Sequence, residues 1–163
     1  MKTWDEAIKK GLLMFVHKEQ YAYFYGAKGE LLTDETMFHL VSMYPNHFAK
    51  ISNLLEIMEY SRGKYGFDCS GFITFLTGDP GYSGAQIANC HDVTKDLAAG
   101  PAGSLLYTTF GGNGSHIGID IGYGYYLMMS REGESVQLGK ISEYPWEKSG
   151  QSKYLNMEGS DSR

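Results

Sequence analysis

Two cysteines, four prolines and no long apolar run set the first limits on this 163-residue chain. Cys69 and Cys90 are too few for a disulfide scaffold, and no Cys/His spacing fits a structural zinc site, so neither a metal nor another cofactor is expected. Lys and Arg number 14 against 19 Asp and Glu, and they form no cluster. A net charge of −5 therefore argues against nucleic acid as a partner. No stretch reaches the ~20 apolar residues of a membrane span. The start, Met1-Lys2-Thr3-Trp4-Asp5-Glu6, lacks a basic region followed by an apolar core, which predicts a chain made in the cytoplasm without a signal peptide or transmembrane segment. What remains is a composition of 42% hydrophobic residues, 13 Tyr and 21 Gly, enough for one folded domain over residues 1–163, with a monomer expected. The tyrosines suit the lining of a polar groove or the surface of a sheet equally well.

Helical patterns come first. Thr3 with Glu6 is a capping box, and Trp4, Ile8, Leu12, Phe15 and Val16 recur at helical spacing, predicting a helix from Trp4 to His17. Alternating aromatics in 21–25 followed by glycines predict a short extended piece and a turn. A second helix is expected from Thr33 through Val41, ended by Pro45, and a third from His47 to Tyr60. Residues 77–84 read as a loop and Ala85 to Leu97 as a weak helix. From Gly103 the pattern changes to short strands, Ser104–Thr109, Ser115–Ile121, Tyr125–Ser130 and Ser135–Ile141, separated by turns at 111–114, 122–124 and 131–134. Helices followed by hairpins predict an α+β domain, with a frayed tail from Glu158.

Phe67-Asp68-Cys69-Ser70-Gly71-Phe72 is the stretch with chemistry in it. Asp68 is a preferred N-cap residue, which places Cys69 in the first turn of a helix that buries Phe72, Ile73 and Leu76. Free N–H groups and the helix dipole there predict a thiol of lowered pKa, a candidate nucleophile. Such a cysteine needs a histidine held beside it. His17, His39 and His47 lie in helical patterns and read as surface or packed residues, and His91 adjoins Cys90 without facing it. His116 begins a strand in which Ile117, Ile119 and Ile121 alternate with His116, Gly118 and Asp120. Gly118 leaves room for close approach, and the helix bearing Cys69 is expected to pack on that face.

The Asp-Cys-Ser-Gly stretch, followed 47 residues after the cysteine by His116-Ile-Gly-Ile-Asp-Ile-Gly122, resembles the signature pair of the NlpC-type cell-wall peptidases, papain-like cysteine peptidases of bacteria and their phages. Upstream, Tyr23-Phe-Tyr-Gly26, Leu32-Thr33 and Tyr44-Pro45 are similar to a looser pattern in lysins of Firmicutes and their phages. The resemblance implies a papain-like α+β fold, Cys69 as nucleophile, His116 as base, and Asp68, Ser70 and Tyr23 as residues that bind the stem peptide. It implies a hydrolase that cleaves amide bonds in peptidoglycan stem peptides and acts at the cell wall after release.

The family's third active-site residue stands twelve positions beyond the base, and that count reaches Met128, a thioether where a polar group is usual. Asp120 shares a face with His116, but four residues along one strand separate them by about 13 Å. A three-residue loop at 122–124 would set Ser130 opposite His116, making Ser130 the polar candidate; a two-residue loop would bring Met129 or Arg131 instead. With Met128 in that place, two alternatives accompany the peptidase reading: a non-cleaving module that binds cell-wall peptide or protein, and a cysteine acyltransferase or deamidase.

Overall fold

The computed structural model describes residues 1–111 and 114–161. Thr3 caps the first helix as its sequence predicts: its side chain accepts from Glu6 N–H while the Glu6 carboxylate takes the Thr3 N–H, so two of the orphan donors at a helix start are satisfied. In chain order the elements are β1 (Lys2–Thr3), α1 (Trp4–Val16), β2 (Tyr21–Tyr23), β3 (Lys28–Leu31), α2 (Asp34–Met43), α3 (Pro45–Phe48), α4 (Leu54–Ser61), β4 (Tyr65–Phe67), α5 (Cys69–Thr77) and α6 (Ser83–Ala88). There follow β5 (Cys90–Thr94), β6 (Leu105–Gly111), β7 (Gly114–Gly122), β8 (Tyr125–Met129), β9 (Val136–Lys140), β10 (Lys148–Ser152) and β11 (Leu155–Asn156).

Six strands form an antiparallel sheet in the order β5-β10-β6-β7-β8-β9. A three-stranded sheet, β2-β4-β3, leads into α5, and β1 pairs in parallel with β11. One face of the large sheet, with Leu105, Ile117, Ile119, Leu127 and Met129, packs on Phe72, Ile73 and Leu76 of α5 and on α1. Ala22, Phe24, Leu32, Met37, Leu40, Phe48 and Ile57 make a second cluster beneath α2, α3 and α4. Leu106, Tyr126, Met128 and Trp146 cover the other face of the sheet. The α+β class expected from helices followed by hairpins is therefore the one observed. No helix among the described residues is long and apolar enough to cross a membrane.

Three local expectations are corrected, and one strand stands where the sequence predicts none. The helix expected over His47–Tyr60 is two pieces, because Ser52 and Asn53 interrupt it and Asn53 takes a non-helical backbone (φ −112°, ψ 40°); such side chains compete for the backbone hydrogen bonds a helix needs. The helix expected over Ala85–Leu97 stops at Ala88, and Cys90–Thr94 becomes an edge strand. β10, which the sequence did not reveal, supplies its partner: the Lys-Ser-Gly-Gln-Ser strand carries little periodicity, and the pairing is long-range. The tail from Glu158 is tied back as far as Asp161. Trp4 Nε1 donates to Glu158 O at 2.9 Å and Ala102 N–H to Asp161 O at 2.9 Å; positions 162 and 163 lie outside the described residues. Of the turn expected at 111–114, Gly111 pairs with Gly114, while 112 and 113 lie outside the described residues.

Candidate active site

α5 begins where the sequence places it. Asp68, in extended backbone, is the N-cap, and its Oδ1 accepts the Gly71 N–H at 2.6 Å. That bond satisfies the third N–H of the helix, while the Cys69 N–H at its first position has no intrahelical acceptor. The helix stops at Gly78, whose left-handed backbone (φ +91°) a residue with a Cβ adopts only with strain. Cys69 therefore sits at the positive end of a short buried helix, facing β7.

The thiol lies by the main chain of β7: the backbone N–H groups of Ile117 and Ser70 act to lower its pKa. The packing differs from the expected one. α5 lies on the isoleucine face of β7, not on the glycine face, and it is the Trp146 indole that closes over Gly118. A Cβ on Gly118 would come within 2.9 Å of the Trp146 ring and of Leu127 O. Because the helix start reaches the strand near its beginning, Cys69 and His116 line one cavity of about 340 Å³. Tyr23, Tyr25, Tyr44, Asp68, Ser70 and Tyr82 contribute to the same walls.

His116 is 3% exposed. Its Nε2 lies 3.0 Å from Met128 Sδ, and its ring stacks on Trp146 at 5.7 Å between centroids and 13° between planes. Tyr144 stands 6.0 Å away on the same side. Ser130, the polar candidate for orienting the imidazole, lies by the Tyr144 hydroxyl and acts to lower its pKa against the larger rise from burial. The register explains how both outcomes arise. β7 and β8 join through Tyr123-Gly124, both in left-handed backbone, with Gly122 opposite Tyr125. A bulge at Ile121 then shifts the ladder so that Ile119 opposes Leu127, which when continued sets His116 opposite Ser130. Met128 is the diagonal neighbour on that face, within reach of a long side chain.

Burial governs the charges. It pushes the Cys69 thiol up to about 11, with the Asp68 carboxylate adding to the rise and the Ile117 and Ser70 N–H groups and Lys28 opposing it. It pushes His116 down to about 4. The lowered thiol pKa expected from the helix terminus is thus outweighed by desolvation, and the pair rests as neutral thiol and neutral imidazole.

Asp68 and Ser70 are bound to each other and to a residue that sequence reasoning missed. Lys28 Nζ donates to Ser70 Oγ at 2.6 Å and to Asp68 Oδ1 at 3.1 Å, and Ser70 Oγ donates to Asp68 Oδ1 at 2.9 Å. Tyr23 is buried on β2 and lines the cavity beside Cys69. On the far wall Tyr25 stacks on His47 at 3.9 Å, and His47 Nε2 pairs with Glu132 Oε1 at 2.5 Å. Trp146 and Tyr144 were missed as well. The signal for them was the Tyr144-Pro145-Trp146 triplet, two large aromatics in a segment with no strand pattern of its own.

A cysteine on the first turn of a buried helix, set against a histidine on an antiparallel sheet, defines the papain-like class of α+β cysteine peptidase folds. Within it the chain belongs to the NlpC/P60 family, whose family model matches residues 58–153, a span that includes Cys69 and His116 and leaves Tyr23 and Lys28 outside. That family is one of hydrolytic cysteine peptidases with a cell-wall theme. Among solved structures the chain is similar in fold to NlpC2 from Trichomonas vaginalis, with a TM-score of 0.56 and 13% identity over 90% of this chain. The chain spans 47% of that structure's length. Comparison with curated proteins finds no match.

Proposed function

We infer that the protein cleaves amide bonds in peptidoglycan stem peptides through a Cys69 thioester. The observation that carries this reading is the shared cavity: nucleophile and base line one pocket beside the N-terminus of α5. Met128 Sδ lies 3.0 Å from Nε2; a thioether can only accept, so the tautomer that matches it carries its proton on Nε2 and has Nδ1 as the basic nitrogen. As Sγ attacks the substrate carbonyl carbon, Nδ1 takes the thiol proton. The Cys69 N–H, with the Tyr23 hydroxyl as the second donor, stabilises the oxyanion. Collapse of the tetrahedral intermediate breaks the C–N bond, and His116 passes the proton to the leaving amine. Water then attacks the thioester with His116 again accepting its proton, releasing a carboxylic acid and restoring the thiol. Action at the bacterial cell wall, as in a released lysin, follows from that substrate.

Purified peptidoglycan treated with the protein should release new amino groups, and mass spectra of the fragments should identify the bond. Cys69→Ala should abolish release; undiminished release by that variant overturns the reading.

The Met128 contact favours a second reading, a module of the same fold that binds cell-wall peptide without cleaving it. Retained binding of soluble stem peptide with no fragment released by the unaltered protein is its signature.

A further inference from the structure

Asp68 is the carboxylate on the cavity wall, and its charge is already balanced. Lys28 Nζ, Ser70 Oγ and Gly71 N–H all bond to its Oδ1, at 3.1, 2.9 and 2.6 Å, which leaves Oδ2 as the acceptor for a substrate. The lysine reaches this place because residue 71 is glycine. A Cβ there would come within 3.2 Å of Lys28 Cδ and 2.6 Å of Ala27 O, so only a bare backbone lets the lysine stem lie across the helix start. The ring of Tyr82 lies 4.6 Å from Nζ and covers its other side. Lys28 thus stands behind the subsite, bonded to two of the residues that line the cavity, with its side chain 34% exposed.

We propose that Lys28 determines substrate specificity by making the Asp68 subsite electrically neutral, so that it accepts an acylated nitrogen, a peptide N–H still attached to a longer chain, and rejects a free ammonium. The proposal rests on the peptide-cleaving reading of the site. An amide N–H brings one donor and no charge, which matches the single acceptor at Oδ2. An ammonium at Oδ2 would place a second cation beside Lys28 Nζ, and one carboxylate cannot neutralise both. Cys69 and His116, which share the cavity, rest uncharged and offer the ammonium no compensation.

Two synthetic stem peptides that differ only in a free or acetylated N-terminus provide the test. Binding is measured by calorimetry on Cys69→Ala, and turnover on the unaltered protein. The acetylated peptide should be preferred by roughly tenfold or more in both Kd and kcat/KM, the scale on which like charges in close contact discriminate. Lys28→Met, with its fold checked by circular dichroism, should remove or reverse the preference, and Lys28→Arg should keep it. Equal or better binding of the free-amine peptide overturns the proposal, as does a preference that Lys28→Met leaves intact. If neither peptide is turned over, the hydrolytic reading fails, and binding to Cys69→Ala still decides the role of Lys28.

Discussion

His116 Nε2 lies 3.0 Å from Met128 Sδ, so the imidazole of this site rests against a thioether. Sulfur is a weak acceptor. It can accept from an Nε2–H yet offers little to an imidazolium once the proton has moved. Met128→Gln, similar in length and flexibility, would put an amide oxygen against Nε2–H, and an ordinary hydrogen bond is worth about 1 kcal/mol, or roughly fivefold in rate. The expected outcome is a gain of that size in kcat with KM little changed, measured on a soluble stem peptide. A loss in kcat without loss of fold would show that the thioether is the better partner.

Ser130 is the residue that strand register nominates for the same task, and it lies by the Tyr144 hydroxyl, whose pKa it acts to lower. Ser130→Ala should therefore leave kcat within about twofold and cost about 1 kcal/mol of stability, the net worth of one hydrogen bond. A fall of a hundredfold in kcat, with stability unchanged, would return Ser130 to the base.

Much of this site was legible because it is local. Asp68 before Cys69 announces a capped helix, and the alternation from Ile117 to Ile121 announces a half-buried strand; both patterns depend only on near neighbours. The contacts that hold the pair are not local. Trp146 lies 30 residues from His116 with no periodicity to betray it, and Lys28 lies 40 residues before Asp68 on a strand of four residues. The register places Ser130 opposite His116, but side-chain length decided for Met128. The thiol pKa went the other way from expectation for the same reason. A helix terminus can be read from sequence, whereas the desolvation that outweighs it depends on the completed fold.

With thiol and imidazole both neutral at rest, the pH profile should be broad. His116 gains a proton only near pH 4 and Cys69 loses one only near pH 11. The value of kcat/KM on a soluble stem peptide should therefore hold level across the neutral range, falling only toward the acid limit. Alkylation of Cys69 by iodoacetamide should be slow at pH 7 and accelerate in strong alkali. A thiolate that reacts fully at pH 6 would show that the pair is ionised at rest.

Stability should carry two opposed pH terms on the same strand. His116 has a folded pKa near 4 against 6.5 for the free side chain, so the unfolded chain binds more protons between those values, and stability is lost as pH falls through that window. Asp120 is pushed up to about 6 from 3.8 by burial, opposed by the Gly122 N–H. The folded state therefore binds the extra proton there, and stability is gained as pH falls from 6 toward 4. At 1.36 kcal/mol per unit each term amounts to about 3 kcal/mol, and together they nearly cancel. Asp120→Asn should raise stability at pH 8 and expose a steep acid loss between pH 6.5 and 4, followed by urea denaturation. A stability curve of unchanged shape would refute the opposition.

Trp146 stacks on the His116 ring, whose Nε2 touches Met128, and fills the space that Gly118 leaves, so its removal should act on stability and chemistry together. Trp146→Ala is expected to cost about 3–5 kcal/mol, the usual range for deleting a buried aromatic. Trp146→Phe keeps a stacking surface while shortening it, and should recover most of the fold. The separation lies in kcat. If stacking positions the imidazole, Trp146→Phe should retain kcat, and Gly118→Ala, which pushes the indole away through a contact of 2.9 Å, should lower kcat with KM little changed. A Gly118→Ala protein that is less stable yet keeps full kcat at a temperature where it is folded would reduce Trp146 to core packing alone.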